Sequence, residues 1–529
     1  MSTNKTNSSN HSKNPHNSAS GRVSRRSLLA AGLAAPIIVP RFVLGGPGNQ
    51  APSDKLRIAA VGVGGMGQSY LGECRHENIV ALCDLDHNLA DKVFRRFPRA
   101  RTYHDYRKMF EKEADNFDAL IIATPDHTHA VLLTETIRLN KHIYCAKPIT
   151  HSIAEARKVR QAVLDAPHLV TKSSVQASGC DASRCTTELV TSGAIGPIRE
   201  LHIWCNHPVY PCSLIRPTEK RTPPPGMDWD LWIGPAPYRP YHSAYHPSNW
   251  RTWWDFGSGT VGDMACHTLH AYFKELKLGA PTTVYGRSSI RHKGFFQFVS
   301  TPECQSHANT VTWQFGARSL SENPVVGPRA SGFVTGKDGE AGDIAVYRRY
   351  SRTPTSRKTS RSKPGRVLRQ APMGDLPPLT VHWYDGGMKP HRPLELDNSV
   401  QLPDSGLLFA GERGKLLTGY AGGNPFGRSR GIKGGLLLPE KKFRDFQQPD
   451  ETMYRCNDHY GEWIKACKTG SRTVCPIEFG CEMTEMALLG TLALRTKRVL
   501  AWDARAMRVT NRADANKLVD PPYRDGWTL

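Results

Sequence analysis

The chain has 529 residues, of which 39% are hydrophobic, so it can form two ordinary domains or one large one and fill a sizeable core. Its formal net charge of +22 does not indicate specific nucleic-acid binding, because much of the basic excess lies in an N-terminal leader and in one later segment. Its 13 cysteines are scattered without a Cys-x-x-Cys pair, which argues against a zinc ribbon or a disulfide framework.

The leader carries an arginine pair. Arg25 and Arg26 precede a mildly apolar run, and no acidic residue comes before them. This order is typical of a twin-arginine export signal, so residues 1–52 are interpreted as signal and linker. The run is too short and too rich in Ala and Gly to span a bilayer, and no later segment is suited to span one either. We expect a folded protein exported to the periplasm or cell envelope; the alternative is a disordered or amphipathic N-terminus with a chance arginine pair.

A glycine-rich loop follows the first apolar strand, in KLRIAAVGVGGMGQSYLGEC at residues 55–74. Glycines at these positions allow a tight turn and a close approach of the backbone to a pyrophosphate. The residues expected to contact a dinucleotide are Gly62, Gly64, Gly65, Met66 and Gly67. The alternative is a glycine turn in an α/β unit that binds nothing.

The second strand, NIVALCDLD, ends in Asp84, twenty residues after Gly64. A carboxylate there can accept hydrogen bonds from the adenosine ribose and would repel a 2'-phosphate. NAD is therefore expected in preference to NADP.

Two further strands complete the expected nucleotide-binding unit. FDALIIATPDHTHA ends its strand at Thr124 and Pro125 and begins a helix near His129, which places these three residues beside the dinucleotide. HIYCAKPIT carries Lys147 at its end, which by itself is better explained by an ordinary solvent-facing lysine.

The segment NWRTWWDFGSGTVGDMACHTLH, residues 249–270, combines aromatic rings with polar groups. Asp263 and His267 lie four residues apart and project from the same face of a helix, a spacing that surface pairs also show. Flat rings beside hydrogen-bonding groups suit a sugar, although tryptophan also fills cores, and Trp250 and Trp253 share this ambiguity. The candidates for sugar contact are Arg251 and Trp254, with Trp204 and Asn206 as weaker ones.

A histidine pair and a basic segment are not expected to take part in the reaction. His242 and His246 have a metal-ligand spacing but no evident third ligand, so no metal site is expected. Residues 348–369 contain nine basic and no acidic side chains, with Ser, Thr and Pro between them, so residues 348–370 are interpreted as a disordered insertion.

With these motifs together, the sequence resembles the glucose-fructose oxidoreductase and inositol dehydrogenase family (Gfo/Idh/MocA), in its exported twin-arginine subset. The motifs are AAVGVGGMG, CDLD, ATPDHTHA and CAKPIT, and then WDLWIGPAP, the 249–270 segment and the closing residues. The resemblance implies an α/β protein: a Rossmann domain with a doubly wound parallel sheet at 53–175, then an α/β domain with an open, mixed, largely antiparallel sheet at 176–529. It also implies a homo-oligomer and a carbohydrate substrate.

The resemblance further implies a catalytic trio of Lys147, Asp263 and His267. His267 would act as general base toward a sugar or cyclitol hydroxyl, Lys147 would stabilise the developing alkoxide, and Asp263 would orient the substrate or the imidazole. The chain departs from the family's usual Glu-Lys-Pro at Ala146, which removes a carboxylate near the nicotinamide ribose.

Three functions remain in consideration. The first is an oxidoreductase that holds its nicotinamide cofactor tightly, as an exported enzyme would need. The second is a redox-neutral, NAD-dependent glycoside hydrolase or lyase of the same family. The third, suggested by Ala146, is a non-catalytic sugar-binding relative.

Overall fold

The computed structural model describes residues 54–318, 376–427 and 430–529. The expected export signal and the expected basic insertion at 348–370 both lie outside the described residues. Among the helices that are described, none has the length and apolar character needed to cross a membrane.

The N-terminal half is a six-stranded parallel sheet in the order β3-β2-β1-β4-β5-β6, which confirms the predicted doubly wound fold. Apolar residues fill these short strands because helices cover both faces of the sheet. The strands are β1 (Arg57–Val61), β2 (Asn78–Cys83), β3 (Arg101–Tyr103), β4 (Ala119–Ile122), β5 (His142–Cys145) and β6 (Thr171–Ser173).

Helices connect these strands and begin at polar caps. Asp86 accepts N–H groups at the start of the second helix, and Ser152 and Glu155 form a reciprocal capping box at the fifth. The helices are α1 (Gly67–Glu73), α2 (His87–Arg96), α3 (Tyr106–Glu113), α4 (His129–Arg138) and α5 (Ile153–Asp165).

The C-terminal half contains a nine-stranded sheet in the order β15-β14-β13-β7-β12-β11-β8-β16-β17. The β7–β12 pair is parallel and the other neighbouring pairs are antiparallel, which confirms the predicted mixed sheet. Its strands are β7 (Ile198–Trp204), β8 (Thr283–Ser288), β11 (Asn309–Phe315), β12 (Leu379–Tyr384), β13 (Gly406–Gly411), β14 (Gly414–Gly419), β15 (Leu436–Leu438), β16 (Leu500–Asp503) and β17 (Arg508–Val509). A separate hairpin is formed by β9 (Arg291–Gly294) and β10 (Gln297–Val299).

One face of this large sheet is buried under helices. Inward side chains such as Leu201, Trp313 and Trp383 share a core with helix residues Val261 and Leu489. The helices of this half are α6 (Asp181–Thr191), α7 (Trp229–Ile233), α8 (Gly259–Phe273), α9 (His459–Thr469) and α10 (Ile477–Thr496). The packing brings the start of α8 to the carboxyl ends of β4 and β5, where the candidate site lies.

Candidate active site

A cavity of about 590 Å³ runs from the glycine loop to the middle of α8. This volume is in the range of small-molecule and cofactor sites, which is about 300–1,000 Å³. Predicted cofactor and catalytic residues line the same cavity: Gly62, Gly64, Gly65, Met66, Asp84, Thr124, Pro125, Lys147, Asp263 and His267. Ala146 also lines it.

The glycine loop has the form that a dinucleotide requires. Gly62 has φ +82°, and a Cβ there would lie 2.7 Å from the backbone of Ala123. Thr124 Oγ1, at the end of β4, is buried and has no hydrogen-bond partner among the described residues, although it lines the cavity. A buried hydroxyl without a partner is costly, so a bound polar group there would satisfy it. The residues present therefore fit a nicotinamide dinucleotide.

Two glycines of the loop differ in how closely their neighbours pack, so alanine substitutions at both form a matched pair. A Cβ on Gly67 would lie 2.4 Å from the carbonyl oxygen of Gly62, whereas one on Gly65 would have no neighbour within 4 Å. Gly67→Ala is therefore expected to lower the free energy of unfolding by about 1–3 kcal/mol and to weaken NAD binding, while Gly65→Ala leaves stability unchanged. Denaturant unfolding and NAD titration of both variants check this. Equal stability of the two variants would contradict the packing.

Asp84 supports the loop from the end of β2. Its carboxylate accepts N–H bonds from Gly64, at 2.7 Å, and from Asp86, at 2.9 Å. Burial raises the pKa of Asp84, and the two N–H donors oppose that rise. The carboxylate lines the cavity, and its contact with a ribose stays a prediction.

The predicted trio meets at the other end of the cavity. Lys147 Nζ donates to the backbone oxygen of Asp263 at 2.8 Å and forms an ion pair with its carboxylate. Arg251 lies on the other side of that carboxylate, with Nε 3.9 Å from Oδ2. The backbone N–H of Lys147 donates to Ser174 Oγ at 2.9 Å, which fixes the end of β5.

The charges in this cluster set the protonation states. Burial favours a raised pKa for Asp263, but Lys147 and Arg251 outweigh it and hold that pKa below its ordinary value. Burial, aided by the ammonium of Lys147, lowers the pKa of His267 to about 3. At neutral pH the cavity therefore holds an ionised Asp263 and a neutral imidazole that is able to accept a proton.

Asp126 is a site residue that the sequence analysis missed. It lies in a single turn of 3-10 helix after β4 and accepts hydrogen bonds from the N–H of Ser258, at 3.1 Å, and from its hydroxyl, at 2.7 Å. Ser258 precedes α8, so this contact positions the helix that carries Asp263 and His267. Burial raises the pKa of Asp126 to about 7. The sequence signal was the polar residue directly after Thr124 and Pro125.

His129 lies behind the cavity wall and does not line it. Its ring is fully buried, with Nδ1 2.8 Å from the carbonyl oxygen of Pro148 and Nε2 2.8 Å from that of Thr124. The ring links the segments that follow β4 and β5. The structure thus shows a positioning role for His129, and its proximity to a dinucleotide stays a prediction.

Among the aromatic candidates and Arg251, some line the cavity and others are buried in the core. Trp250 and Arg251 line the cavity, with the guanidinium 4.3 Å from the indole centroid. Trp254 is 6% exposed and is not among the residues that line the cavity. Trp204 is fully buried and donates to the carbonyl of Pro403 at 2.8 Å, so it is a core residue and not a sugar contact.

The remaining candidates have local partners. Asn206 is exposed and bonds to Ser405 through its N–H and its side chain, away from the cavity. His246 lines the cavity and pairs with Asp86 at 2.9 Å, which joins the 240s loop to the start of α2. His242 Nδ1 instead accepts the N–H of Ala244 at 3.0 Å, so these two histidines serve different contacts.

The buried histidines predict an acid-sensitive fold. Burial lowers the pKa of His127 and His270 to about 4 and that of His459 to about 2. Their stabilisation is complete above the unfolded pKa of about 6.5 and is lost as the pH falls, by up to about 1.4 kcal/mol per group and pH unit. Asp126 and Asp385, whose pKa burial raises to about 7, act in the opposite direction over the same range.

The histidines outnumber these carboxyls, so we expect Tm to fall steadily from pH 6.5 to pH 4.5. Thermal unfolding followed by tryptophan fluorescence at pH 7.0, 5.5 and 4.5 measures this dependence. A Tm that is constant or rises on acidification would contradict the buried, neutral state of the imidazoles.

Two family models match the chain. Residues 56–172 match the oxidoreductase family, NAD-binding Rossmann fold (GFO_IDH_MocA), and residues 215–284 match that oxidoreductase family's C-terminal alpha/beta domain. The first match contains the glycine loop and Lys147, and the second contains Asp263 and His267.

Curated relatives match over about a fifth to a quarter of the chain. An inositol 2-dehydrogenase of Rubrobacter xylanophilus is 30% identical over 148 residues, which cover 27% of this chain and 42% of the relative. A glycosyl hydrolase family 109 protein of Shewanella woodyi is 30% identical over 122 residues, 20% of this chain and 26% of the relative. The matches thus span less than half the length of each of these relatives.

A solved structure extends the likeness of the fold. The WlbA dehydrogenase from Bordetella pertussis, in complex with NADH and UDP-GlcNAcA, superposes with a TM-score of 0.51 at 13% identity. The superposition covers 85% of this chain and 99% of that one. At this identity the likeness concerns the fold alone.

Proposed function

We propose that the chain is an NAD-dependent oxidoreductase of the Gfo/Idh/MocA family that acts on a hydroxyl of a sugar or cyclitol, because residues 56–172 match that family's NAD-binding Rossmann fold and residues 215–284 match its C-terminal alpha/beta domain. The relatives that support the substrate class are the inositol 2-dehydrogenases. The preference for NAD over NADP is part of the proposal and is supported by the position of Asp84 on the cavity wall.

The observation that carries the proposal is the continuity of one cavity. Its one end is the glycine loop with the unpartnered hydroxyl of Thr124, and its other end is the cluster of Lys147, Asp263 and His267. A nicotinamide ring held from the loop and a polyol held by the cluster would share this space. Bound NAD supplies a hydride acceptor for the carbinol carbon of the substrate.

The chain's own residues supply the proton chemistry and the orientation. The neutral imidazole of His267 accepts the hydroxyl proton as the C–H bond breaks. The ammonium of Lys147, fixed by its two bonds to Asp263, stabilises the negative charge that develops on the substrate oxygen. Arg251 and Trp250, whose guanidinium and indole ring are stacked, line the same cavity and can contact a polyol there.

One finding favours a second candidate, a redox-neutral glycoside hydrolase in which one sugar hydroxyl is oxidised transiently. The Shewanella woodyi relative bears the name of a glycosyl hydrolase family. The same cluster can serve this reaction, since a ketone on the sugar acidifies the neighbouring C–H bond.

A substrate panel distinguishes the two. The full-length protein is incubated with aldoses, myo-inositol and nitrophenyl glycosides, with and without added NAD, while NADH and nitrophenol are recorded. Protein-bound NADH, formed at up to one per chain when an aldose or cyclitol is added, supports the oxidoreductase. Nitrophenol released over many turnovers without net NADH supports the hydrolase, and neither product with any compound would contradict both.

The cellular setting is proposed separately. The arginine pair Arg25 and Arg26 supports export by the twin-arginine route to the periplasm or cell envelope. Export after folding would carry bound NAD across the membrane with the protein. Free NAD is scarce outside the cytoplasm. The homo-oligomer stays a prediction from the family resemblance.

A further inference from the structure

The face of the nine-stranded sheet that points away from the helices carries a polar cluster on two neighbouring strands. Along β12, Leu379, Val381 and Trp383 point into the core, so the residues between them point to the opposite face. The same alternation on β7 sends Leu201 and Ile203 inward. The cluster is therefore separated from the cavity by the sheet itself.

Three potential metal ligands meet on this outer face: Glu200, His202 and His382. Glu200 and His202 are two residues apart on β7, and the parallel register pairs His382 directly with His202. One ligand atom from each of the three lies within 4.8 Å of the others. The two imidazole rings lie 4.8 Å apart, and His202 Nε2 is 3.1 Å from a carboxylate oxygen of Glu200.

A hydroxyl group lies within hydrogen-bond distance of one ring nitrogen of each histidine. Tyr384 Oη lies 3.1 Å from Nδ1 of His202, and Thr312 Oγ1 lies 3.1 Å from Nδ1 of His382. A metal-binding histidine commonly bonds through its second ring nitrogen to an oxygen, which fixes the ring and its tautomer. Both imidazoles have that arrangement at Nδ1, so Nε2 of each ring is the nitrogen that would bind the ion.

The charges around the cluster are compatible with a bound cation. Lys415 and His391 lie near enough to influence His202. The ammonium of Lys415 bonds both carboxylate oxygens of Glu395, at 2.9 and 2.8 Å, so its charge is matched locally. Glu200 adds a carboxylate that has no lysine or arginine ion pair among the described residues.

We propose that Glu200, His202 and His382 form a binding site for a divalent ion of the zinc class on the outer face of this sheet. Two imidazoles and one carboxylate are a ligand set typical of Zn²⁺, with a fourth position filled by water. The ion would tie β7 to β12, the parallel pair of the sheet. In the sequence His242 and His246 have a metal-ligand spacing, whereas the pairing of β7 with β12 is not visible there.

Metal binding by the full-length, untagged protein tests the proposal. Chelator-treated protein is dialysed at pH 7.5 against Zn²⁺, and in parallel against Co²⁺ for visible spectroscopy. The variants are His382→Ala and Glu200→Gln, with His292→Ala on the exposed hairpin as the control for weak binding by other histidines. We expect the wild type and His292→Ala to bind one more Zn²⁺ than His382→Ala, and a Co²⁺ absorption band in the first two that His382→Ala lacks.

Glu200→Gln is expected to weaken Zn²⁺ binding by at least about 10-fold, because even supporting contacts have effects of 10- to 100-fold. Since Glu200 is exposed, this variant also keeps the test valid if His382→Ala folds poorly. Equal Zn²⁺ content and affinity in the wild type and both cluster variants would overturn the proposal. So would a wild-type protein that binds no Zn²⁺ under these conditions.

Discussion

Lys147→Met is expected to reduce kcat by about 10²- to 10⁴-fold on whichever substrate of the panel the wild type turns over. Methionine keeps most of the side-chain volume but removes the cation that faces the developing alkoxide. NAD affinity is expected to change little, because the predicted contacts of the dinucleotide lie at the glycine loop. Single-turnover NADH formation, compared at saturating NAD, separates these two effects.

The same variant also changes the state of Asp263. That carboxylate loses its closest counter-charge and keeps only Arg251, 3.9 Å away, so its pKa should rise and the free energy of unfolding should fall. The matched control is Lys389→Met, which breaks an exposed pair with Asp404 at 3.1 Å. A Lys147→Met protein that is folded, binds NAD and turns over at the wild-type rate would exclude Lys147 from the chemistry.

His267→Gln is expected to have an effect of similar size, because glutamine cannot accept the substrate proton. In the wild type, burial and Lys147 lower the pKa of His267 to about 3, so its imidazole is neutral at neutral and mildly acidic pH. Protonation of His267 would remove the base, and it occurs at a pH well below the ordinary histidine pKa of about 6.5. The pH profile of kcat/KM should therefore show no acid-side loss centred near pH 6.5.

The pH profile makes this prediction specific to His267. His292→Gln, on the exposed β9–β10 hairpin, is the control and should retain wild-type rates. If the wild type loses activity with an apparent pKa near 6.5, and His267→Gln keeps that profile at an undiminished rate, another group is the base.

Local patterns account for what the sequence predicted well. The glycine loop and Asp84 belong to one strand–turn–helix unit and the next strand, and Asp263 and His267 lie one helical turn apart. Their relation is fixed by short-range geometry. The role of Lys147 was predicted from its place at the end of a strand together with the family resemblance. The structure brings Lys147 into contact with Asp263.

Long-range packing decides what the sequence could not predict. Asp126 acquires its partner Ser258 132 residues later, when α8 packs against the end of β4. Trp204 and Trp250 are the same residue type and differ only in their surroundings. The ring of Trp204 is enclosed by a hydrophobic core, and that of Trp250 borders the cavity. Likewise the group of Glu200, His202 and His382 exists only through the register of β7 with β12.

The central claim is that the cavity holds a tightly bound NAD beside Lys147 and His267. It is tested most directly by denaturing the purified full-length protein and assaying the released NAD(H) and NADP(H) by enzymatic cycling. We predict close to one NAD(H) per chain and little NADP(H). A protein that releases neither and does not bind NAD when it is added back would contradict the claim, and would indicate that the loss of a carboxylate at Ala146 accompanied the loss of the cofactor.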